Sequence, residues 1–360
     1  MSDGSGALPP YPVTVVGSWP RSEALLAVRA QEAAGVDVVS DGEQRRDNFY
    51  SFVAEKLEGV TSMTLAELLE HVEDREGFRR LLDSLDVPAY SIRNPTCTGR
   101  LRLRESLALD EVRFLRGVTA RPLKVALPGP YLLTRAMWVQ EVSRASYPTK
   151  EALGDDVVAI LRGELGRLAA ADVEFVQLDE PVLTELVFSQ GRTRTFMCAA
   201  LAARRDPREE LEFATSLIGR VVEGFEDRRI GLHVCRGNWS RDERTLLSGS
   251  YAPLAPWFDR LGVRQLVLEY ATPRAGPVVP VGTKELGLGV VNPRTPEVET
   301  EDEIVERVRR ARAQVPAERL FLNPDCGFGS FSSRAMNPPQ IAQAKLAVMA
   351  RAARRLREGG

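Results

Sequence analysis

The sequence predicts an α/β protein in which a single (β/α)8, or TIM-barrel, domain covers residues 1–360. Three observations support this fold class. Eight short apolar runs alternate with longer helical segments, as in a barrel of parallel strands. At 360 residues and 44% hydrophobic, the chain can bury the core of one large barrel. Six of the runs stop at polar residues, and the carboxyl ends of barrel strands share the face that carries an active site.

The predicted strands are short apolar runs that end in turn or polar residues. They cover residues 11–18, 36–43, 122–130, 173–181, 229–235, 264–270, 286–291 and 319–327. Helical patterns fill the intervals, among them a segment closed by Gly35 and the segments 155–171, 300–315 and 338–358. Residues 1–10 are expected to form a flexible N-terminus.

Residues 58–120 are expected to be an insertion within the barrel, between its second and third strands. An amphipathic pattern predicts a helix near 64–85, and the stretch "AYSIRNPTCTGRLRL" that follows predicts a hairpin. The sequence contains no internal repeat, low-complexity segment or interdomain linker, which favours one domain.

Composition and charge argue against several classes of function. The net charge is −2 and basic residues are spread through helical segments, so we expect no nucleic-acid partner. No apolar run reaches the ~18 residues of a membrane span, and the N-terminus lacks a signal-peptide pattern, so we expect a cytoplasmic protein. Four widely spaced cysteines are too few for a disulfide scaffold and are more often reduced, catalytic or metal-bound.

Four side chains at predicted strand ends are candidate ligands of Zn²⁺. Residues i and i+2 of a strand point to the same side, so His233 and Cys235 in "GLHVCRG" converge on one spot. Glu269 ends the next strand, and Cys326 ends the eighth. One imidazole, two thiolates and a carboxylate make a tetrahedral zinc set, which would present a deprotonated substrate thiol. The alternative is a hydrogen-bonded core histidine with two structural thiols.

Acids and a glycine turn at the same strand ends are candidates for substrate binding. In "QLDEP", Asp179 and Glu180 point to different sides, so one can face a substrate ammonium while the other supports its neighbours. The alternative is a helix N-terminus that favours acids. Glu43, in "SDGEQRRDNF", is a second acid at a strand end. The Gly17–Ser18 turn offers backbone N–H groups suited to a carboxylate.

Several short motifs together resemble one known family. They are "VVGSWPRS", "SDGEQRRDNF", "LPGP", "QLDEPVL", "HVC", "LEY", "LGLGVVN" and "NPDCGFG". They span residues 13–329 in family order, and the sequence is similar to the catalytic half of cobalamin-independent methionine synthase, in particular to its short, single-barrel members. Each motif is modest, but the ordered combination is specific.

The resemblance implies a reaction and a role for each candidate residue. It implies a zinc site at the four strand-end ligands and homocysteine as the substrate. The carboxylate of homocysteine would meet Gly17 and Ser18, and its ammonium would be held by Glu43 and Asp179. The homocysteine thiolate would then attack a methyl group and give methionine.

Departures from the family bear on the methyl donor. After the "GP" turn this chain has Ala136 where long members carry a tryptophan, and after the seventh strand it has Arg294 where they carry a histidine. A folate nitrogen needs a proton to leave, and arginine is a poor acid. A cobalamin leaves without a proton. The sequence therefore favours methylcobalamin or a corrinoid protein as donor, with methyltetrahydrofolate as the alternative, and makes Arg294 a candidate catalytic residue beside Asp179 and Glu43.

Three other functions remain open at this point. The first is alkyl transfer to another thiol such as coenzyme M, which needs no ammonium-binding acids. The second is a metal-free decarboxylase of the same superfamily that acts on a porphyrin. The third is a protein that captures a metal or a methyl donor without turnover, in which the substrate-orienting acids have no obvious role.

Overall fold

A computed structural model describes residues 7–71, 75–76, 79, 93–188, 206–238, 240–330, 332 and 335–359. Within these ranges the strands are β1 (Leu57–Thr64), β2 (Arg93–Leu103), β3 (Lys124–Pro128), β4 (Phe175–Asp179), β5 (Arg229–Val234), β6 (Gln265–Leu268), β7 (Glu285–Val291) and β8 (Leu320–Pro324). Strands β3 to β8 form one parallel sheet in chain order, and β1 pairs with β2 in a separate antiparallel sheet.

Helices connect the parallel strands. The longer helices are Ala24–Ala34, Leu109–Val118, Pro130–Met137, Lys150–Ala170, Val182–Phe188, Pro207–Val222, Ala255–Arg260, Glu301–Ala311 and Pro339–Arg357. Short helical turns are Val53–Lys56, Leu65–Leu68, Leu69–His71, Gln140–Ser143, Glu243–Thr245, Ala252–Leu254, Pro273–Ala275 and Ala317–Arg319. Local signals set several ends: Thr300 and Glu303 form a capping box, and Gly35 closes the first helix at a φ of 87°, which glycine adopts without steric cost.

The parallel strands are buried on both faces, which places the sheet at the centre of the molecule. Every residue of β3, β4, β6, β7 and β8 is buried. One face packs against the helices, and the other encloses a small cluster of Val16, Val38, Phe175 and Val267. Near-continuous burial is typical of parallel sheets covered by helices, and the predicted barrel class is confirmed.

The first two predicted strands, 11–18 and 36–43, are reduced to single parallel bridges. These bridges connect the edge strands β8 and β3 through the two segments. They join Val13 to Leu322, Thr14 to Val38, and Val39 to Leu123.

Side chains explain why these two segments make no longer ladder. The Gln31 amide donates to the carbonyl of Ser40 at 2.9 Å and accepts from its N–H at 3.0 Å, so both backbone groups of Ser40 are satisfied by a helix. The N–H of Val13 donates to a carboxylate oxygen of Asp37 at 2.8 Å. Buried backbone N–H and C=O groups need hydrogen-bond partners, but a side chain can replace a neighbouring strand. The apolar pattern of the sequence does not show which kind of partner is used.

The predicted insertion differs in detail from the structure. The described part of "AYSIRNPTCTGRLRL", residues 93–103, is the single strand β2, and its partner is β1 rather than a second strand from the same stretch. The helix Leu109–Val118, which leads into β3, also lies within 58–120. The predicted helix near 64–85 begins at Leu65 after the Thr64 cap, but half of this range lies outside the described residues.

Other predictions fall partly beyond the described chain. Residues 1–6 of the expected flexible N-terminus lie outside the described residues, and the single-domain assignment stays a prediction. Among the helices that the structure describes, none has the length and apolar character needed to cross a bilayer.

Candidate active site

Three of the four predicted ligands meet at the carboxyl ends of the strands. His233 lies in β5, Cys235 follows that strand at once, and Cys326 follows β8. All three are buried, and one ligand atom from each lies within 4.8 Å of the others. Among the described residues this is the group of His, Cys, Asp and Glu side chains that fits a metal ion.

The chemistry of this cluster suits zinc. The two sulfurs hydrogen-bond to each other, which lowers the pKa of Cys235 and raises the pKa of Cys326. A divalent ion removes both thiol protons on binding. The Nε2 atom of His233 is buried and has no hydrogen-bond partner in the described part of the chain. An unpaired imidazole nitrogen beside two thiols is what a tetrahedral zinc site uses.

Asp179 orients the histidine. Its Oδ1 atom lies 3.0 Å from Nδ1 of His233 and accepts a second hydrogen bond at 2.7 Å from the Gln177 amide. A carboxylate at Nδ1 favours the tautomer that keeps the proton there, so Nε2 carries the lone pair toward the sulfurs. The family resemblance implied that Asp179 holds a substrate ammonium, and the structure adds this contact with the imidazole.

Glu269, the fourth predicted ligand, lies outside the group within 4.8 Å and is engaged by arginines. Its Oε2 atom accepts a hydrogen bond from Nη2 of Arg274 at 2.9 Å, and Nη1 of Arg236 lies 3.8 Å from the same atom. Its Oε1 atom lies 3.6 Å from Nη1 of Arg294. The contacts with Arg236 and Arg294 were not predicted from the sequence because these two arginines come from other segments.

Arg294 is buried among carboxylates. Besides Glu269, it lies 3.5 Å from Oδ2 of Asp325 and 3.5 Å from Oε1 of Glu243. Although burial lowers it, the pKa of Arg294 is raised by Glu269 and Asp325. The side chain is therefore permanently charged and held by acids, so its presence gives no information about how a methyl donor leaves.

Glu43 is a buried acid near the Gly17–Ser18 turn. A Cβ atom on Gly17 would lie 2.4 Å from Oε1 of Glu43, so this glycine makes room for the carboxyl group. The other oxygen, Oε2, has no hydrogen-bond partner among the residues described. Burial raises the pKa of Glu43 to about 7. An unsatisfied carboxylate of this kind is suited to a cationic group of a substrate.

Ser18 packs against the loop that carries Cys326. The Ser18 carbonyl accepts a hydrogen bond from the N–H of Phe328 at 2.9 Å. A Cβ atom on Gly327 would lie 2.1 Å from Oγ of Ser18, so the two loops touch only because residue 327 is glycine. The structure thus brings the Gly17–Ser18 turn beside a cluster cysteine.

Glu180 has a structural role. Its two oxygens accept hydrogen bonds from the N–H groups of Tyr131 at 2.7 Å and Leu132 at 2.9 Å, in the first turn of the helix Pro130–Met137. A Cβ atom on Gly129 would lie 2.2 Å from Oε1 of Glu180. This contact matches the alternative in which one acid of "QLDEP" serves a helix N-terminus.

Several basic side chains near the site were not predicted from the sequence. Arg236 and Arg274 surround Glu269, and the one available signal was that Arg236 directly follows Cys235. Lys124 is buried inside the sheet, where its Nζ atom donates to the Val15 carbonyl at 2.6 Å and lies 4.3 Å from the ring centre of Phe175. Its position in an apolar strand gave no sign of this location.

The fold and the cluster define a barrel protein with a buried set of one histidine and two cysteines suited to a metal. A family model for the cobalamin-independent synthase catalytic domain matches residues 18–235 and 280–355, more than half of the chain. The chain therefore belongs to the cobalamin-independent synthase family, and the sequence-based assignment to an enzyme of the methionine synthase type is confirmed at that level.

Individual relatives agree with this family. A methionine synthase from Pyrococcus abyssi is 28% identical over 98% of this chain and 94% of its own length. A 5-methyltetrahydropteroyltriglutamate–homocysteine methyltransferase from Sodalis glossinidius is 26% identical over 98% of this chain and 44% of its own length. A solved B12-independent methionine synthase from a Shewanella species, in complex with selenomethionine, has a TM-score of 0.73 at 22% identity, covering 97% of this chain and 98% of that one, and shows the shared fold.

These comparisons correct one prediction. The preference for methylcobalamin or a corrinoid protein as donor is not supported, because the family is cobalamin-independent and the Sodalis relative is named for a methylated folate. The alternative donor, methyltetrahydrofolate, agrees better. A corrinoid donor was favoured on the expectation that Arg294 faces the donor, whereas the structure pairs Arg294 with Glu243, Glu269 and Asp325.

Proposed function

We propose that this protein transfers a methyl group from methyltetrahydrofolate to the thiol of homocysteine, giving methionine, with Zn²⁺ held by His233, Cys235 and Cys326. One observation carries the proposal: the buried His–Cys–Cys cluster, with its unpaired Nε2 atom, in a chain of this family. The expected cytoplasmic location and the absence of a nucleic-acid partner stay predictions.

The metal ion and the residues around it would have different roles. Bound zinc would supply Lewis acidity that keeps the substrate thiol deprotonated at neutral pH. Asp179 holds the imidazole of His233 in one orientation through the contact at 3.0 Å, which keeps the coordinating nitrogen pointed at the two sulfurs. Burial of all three ligands excludes water from the reacting sulfur.

The amino-acid part of homocysteine is assigned to the neighbouring groups. The ammonium is placed against Glu43, whose Oε2 atom lacks a partner in the described residues, and against Asp179. The carboxylate is placed at the Gly17–Ser18 turn, which lies beside the Cys326 loop. Three fixed contacts on a small substrate would set the direction of its sulfur.

The proposed reaction is a displacement at the methyl carbon, in which the homocysteine sulfur replaces the folate nitrogen. The thiolate lone pair forms the new S–CH3 bond while the N–CH3 bond of the folate breaks and its electron pair stays on nitrogen. That nitrogen then takes up one proton. Arg294 is not its source, because the guanidinium remains charged and already lies against three carboxylates.

A donor comparison tests the proposal. The purified protein is given homocysteine with methyltetrahydrofolate, its triglutamate form or methylcobalamin, and zinc is measured on the same sample. We expect about one zinc per chain and methionine from a folate donor. Methionine from methylcobalamin alone would refute the proposed donor. Turnover of coenzyme M without turnover of homocysteine would refute the proposed substrate.

A further inference from the structure

Glu111 is a buried acid that has no part in the proposed reaction so far. It lies in the helix Leu109–Val118, within the stretch 58–120 that was predicted to be an insertion. Its two carboxylate oxygens accept hydrogen bonds of 2.7 Å from Nε and Nη2 of Arg46, which is also buried. Burial raises the pKa of Glu111 and the guanidinium of Arg46 lowers it. Because each oxygen accepts one guanidinium N–H, the two side chains form a bidentate ion pair.

The guanidinium of Arg46 is fixed by two further contacts. Its Nη1 atom donates to the carbonyl of Ala126 in β3 at 2.9 Å. Its central carbon lies 4.2 Å from the ring centre of Phe52. All three nitrogens of the guanidinium therefore donate to partners in other segments, and Glu111 accepts from two of them. Arg46 is held by the insertion on one side and by the sheet on the other.

Glu43 lies beside this pair and is not bonded to it. Its Oε1 atom lies 4.0 Å from Nη1 of Arg46, too far for a hydrogen bond. Its Oε2 atom is buried and has no hydrogen-bond partner in the part of the chain that the structure describes. A shift of about 1 Å in Arg46 would bring the guanidinium within hydrogen-bond reach of Oε1. The contact with Glu111 therefore keeps Arg46 away from Glu43.

We propose that Glu111 is a positioning residue: by holding Arg46, it keeps the carboxylate of Glu43 open for the ammonium group of the amino-acid substrate. A buried guanidinium that lost Glu111 would turn to the nearest remaining carboxylate, which is Glu43. Arg46 would then occupy the oxygens that the substrate ammonium needs and would repel it. This inference rests on the proposed function, in which Glu43 binds that ammonium, and adds the residue that keeps Glu43 accessible.

The same arrangement affects how Glu43 titrates. Burial raises the pKa of Glu43 to about 7, and Arg46 lowers it. Three more charged groups face this carboxyl: Arg21, Asp41 and Asp179. Without Glu111, closer contact with Arg46 should lower the pKa of Glu43 toward the ordinary range of a glutamate. Loss of Glu111 should therefore weaken substrate binding and also remove its dependence on pH.

The test measures binding of L-methionine, the product, by calorimetry in buffers of different ionisation enthalpy, which also gives the number of protons released. Methionine has the ammonium and carboxylate of homocysteine but no thiol, so no thiol proton is counted. We expect Glu111→Gln to weaken binding about tenfold at pH 8 and to change it little at pH 6, where Glu43 of the parent protein is protonated. Proton release at pH 7 should fall from about half a proton to nearly none.

Two further variants identify the cause. Asp110→Asn is the matched control, because it removes one negative charge from the adjacent helix residue, which pairs with Lys56 at 3.7 Å. It should bind methionine as the parent protein does. Adding Arg46→Met to Glu111→Gln removes the competing cation and should recover part of the affinity lost at pH 8.

Several outcomes would overturn the role of Glu111. These are unchanged affinity and proton release in Glu111→Gln, an equal loss at pH 6 and pH 8, or no recovery in the double variant. If Glu111→Gln does not fold, Glu111→Asp keeps the charge but cannot reach both nitrogens, and should show a smaller loss with the same dependence on pH.

Glu43→Gln separates this inference from the proposed function. If Glu43→Gln binds methionine as tightly as the parent protein, the proposed ammonium site is refuted. If Glu43→Gln weakens binding and Glu111→Gln does not, only the role of Glu111 is refuted.

Discussion

Two buried ionic clusters in this molecule contain the same kinds of side chain but differ in how tightly they are closed. The Glu210 cluster (Tyr131, Arg135, Lys150 and Glu210) lies among the helices. There Glu210 accepts from Lys150 at 2.6 Å, from Tyr131 at 2.8 Å and from Arg135 at 3.3 Å. Although burial raises it, the pKa of Glu210 is lowered by Lys150 and Arg135. Both carboxylate oxygens are satisfied.

The Glu269 cluster (Glu269, Arg274, Arg294 and Asp325) lies at the strand ends and is looser. Its contacts with Arg294 measure 3.5 and 3.6 Å, and Oε1 of Glu269 lacks a hydrogen bond from any described residue. Unsatisfied buried polar atoms are costly, so a protein keeps them where a ligand will complete them. The comparison indicates that a buried carboxylate with both oxygens hydrogen-bonded stabilises the fold, whereas a buried carboxylate with an unpartnered oxygen is suited to binding a ligand.

The largest expected effect is the loss of a metal ligand. Cys326→Ser should reduce zinc below one per chain and lower methyl transfer at least about 100-fold, because a neutral hydroxyl binds zinc poorly, while thermal unfolding changes little. The matched control is Cys97→Ser, a buried cysteine whose sulfur donates to the Gly99 carbonyl. It should keep zinc and turnover. Full zinc and turnover in Cys326→Ser would show that Cys326 is not a ligand of the metal.

The next effect should be on stability alone. Glu210→Gln leaves Lys150 and Arg135 buried without their carboxylate, and we expect the free energy of unfolding to fall by about 3 kcal/mol, with zinc content unchanged. The control is Glu212→Gln in the same helix, which removes an exposed pair with Arg260 and should leave unfolding unchanged. Loss of zinc in Glu210→Gln would contradict the separation of the two clusters.

The smallest expected effect is a dependence of substrate binding on pH. Burial raises the pKa of Glu43 to about 7, so lowering the pH protonates this carboxyl and removes its attraction for the homocysteine ammonium. The charges that face Glu43 are Arg46, Asp179, Arg21 and Asp41. We expect KM for homocysteine to rise about tenfold between about pH 8 and pH 6, with little change in kcat.

Glu43→Gln separates this effect from titration of the thiol. The variant should have a high KM at every pH in the range and lose the dependence. A KM that rises equally in parent and variant would assign the dependence to another group. Asp179→Asn would not isolate the ammonium contact, because Asp179 also contacts the imidazole of His233.

Much of the site could be predicted from local sequence because strand geometry is local. The i, i+2 rule placed His233 and Cys235 on one side of β5, and the position of Cys326 just after β8 placed it on the same face. The ends of parallel strands converge in any barrel, so no knowledge of packing was needed. The same rule separated Asp179 from Glu180, which face the imidazole and a helix N-terminus respectively.

What the sequence by itself determined was therefore the class of fold, the family and the candidates for the metal cluster. Tertiary structure alone decided that Glu269 lies against Arg236 and Arg294, that β2 pairs with β1, and that the first two predicted strands are reduced to bridges. The physical reason is that these contacts join residues from separate segments. The periodicity of a strand or helix predicts which way a side chain points. The strength of an ion pair depends instead on the distance to a partner elsewhere in the chain.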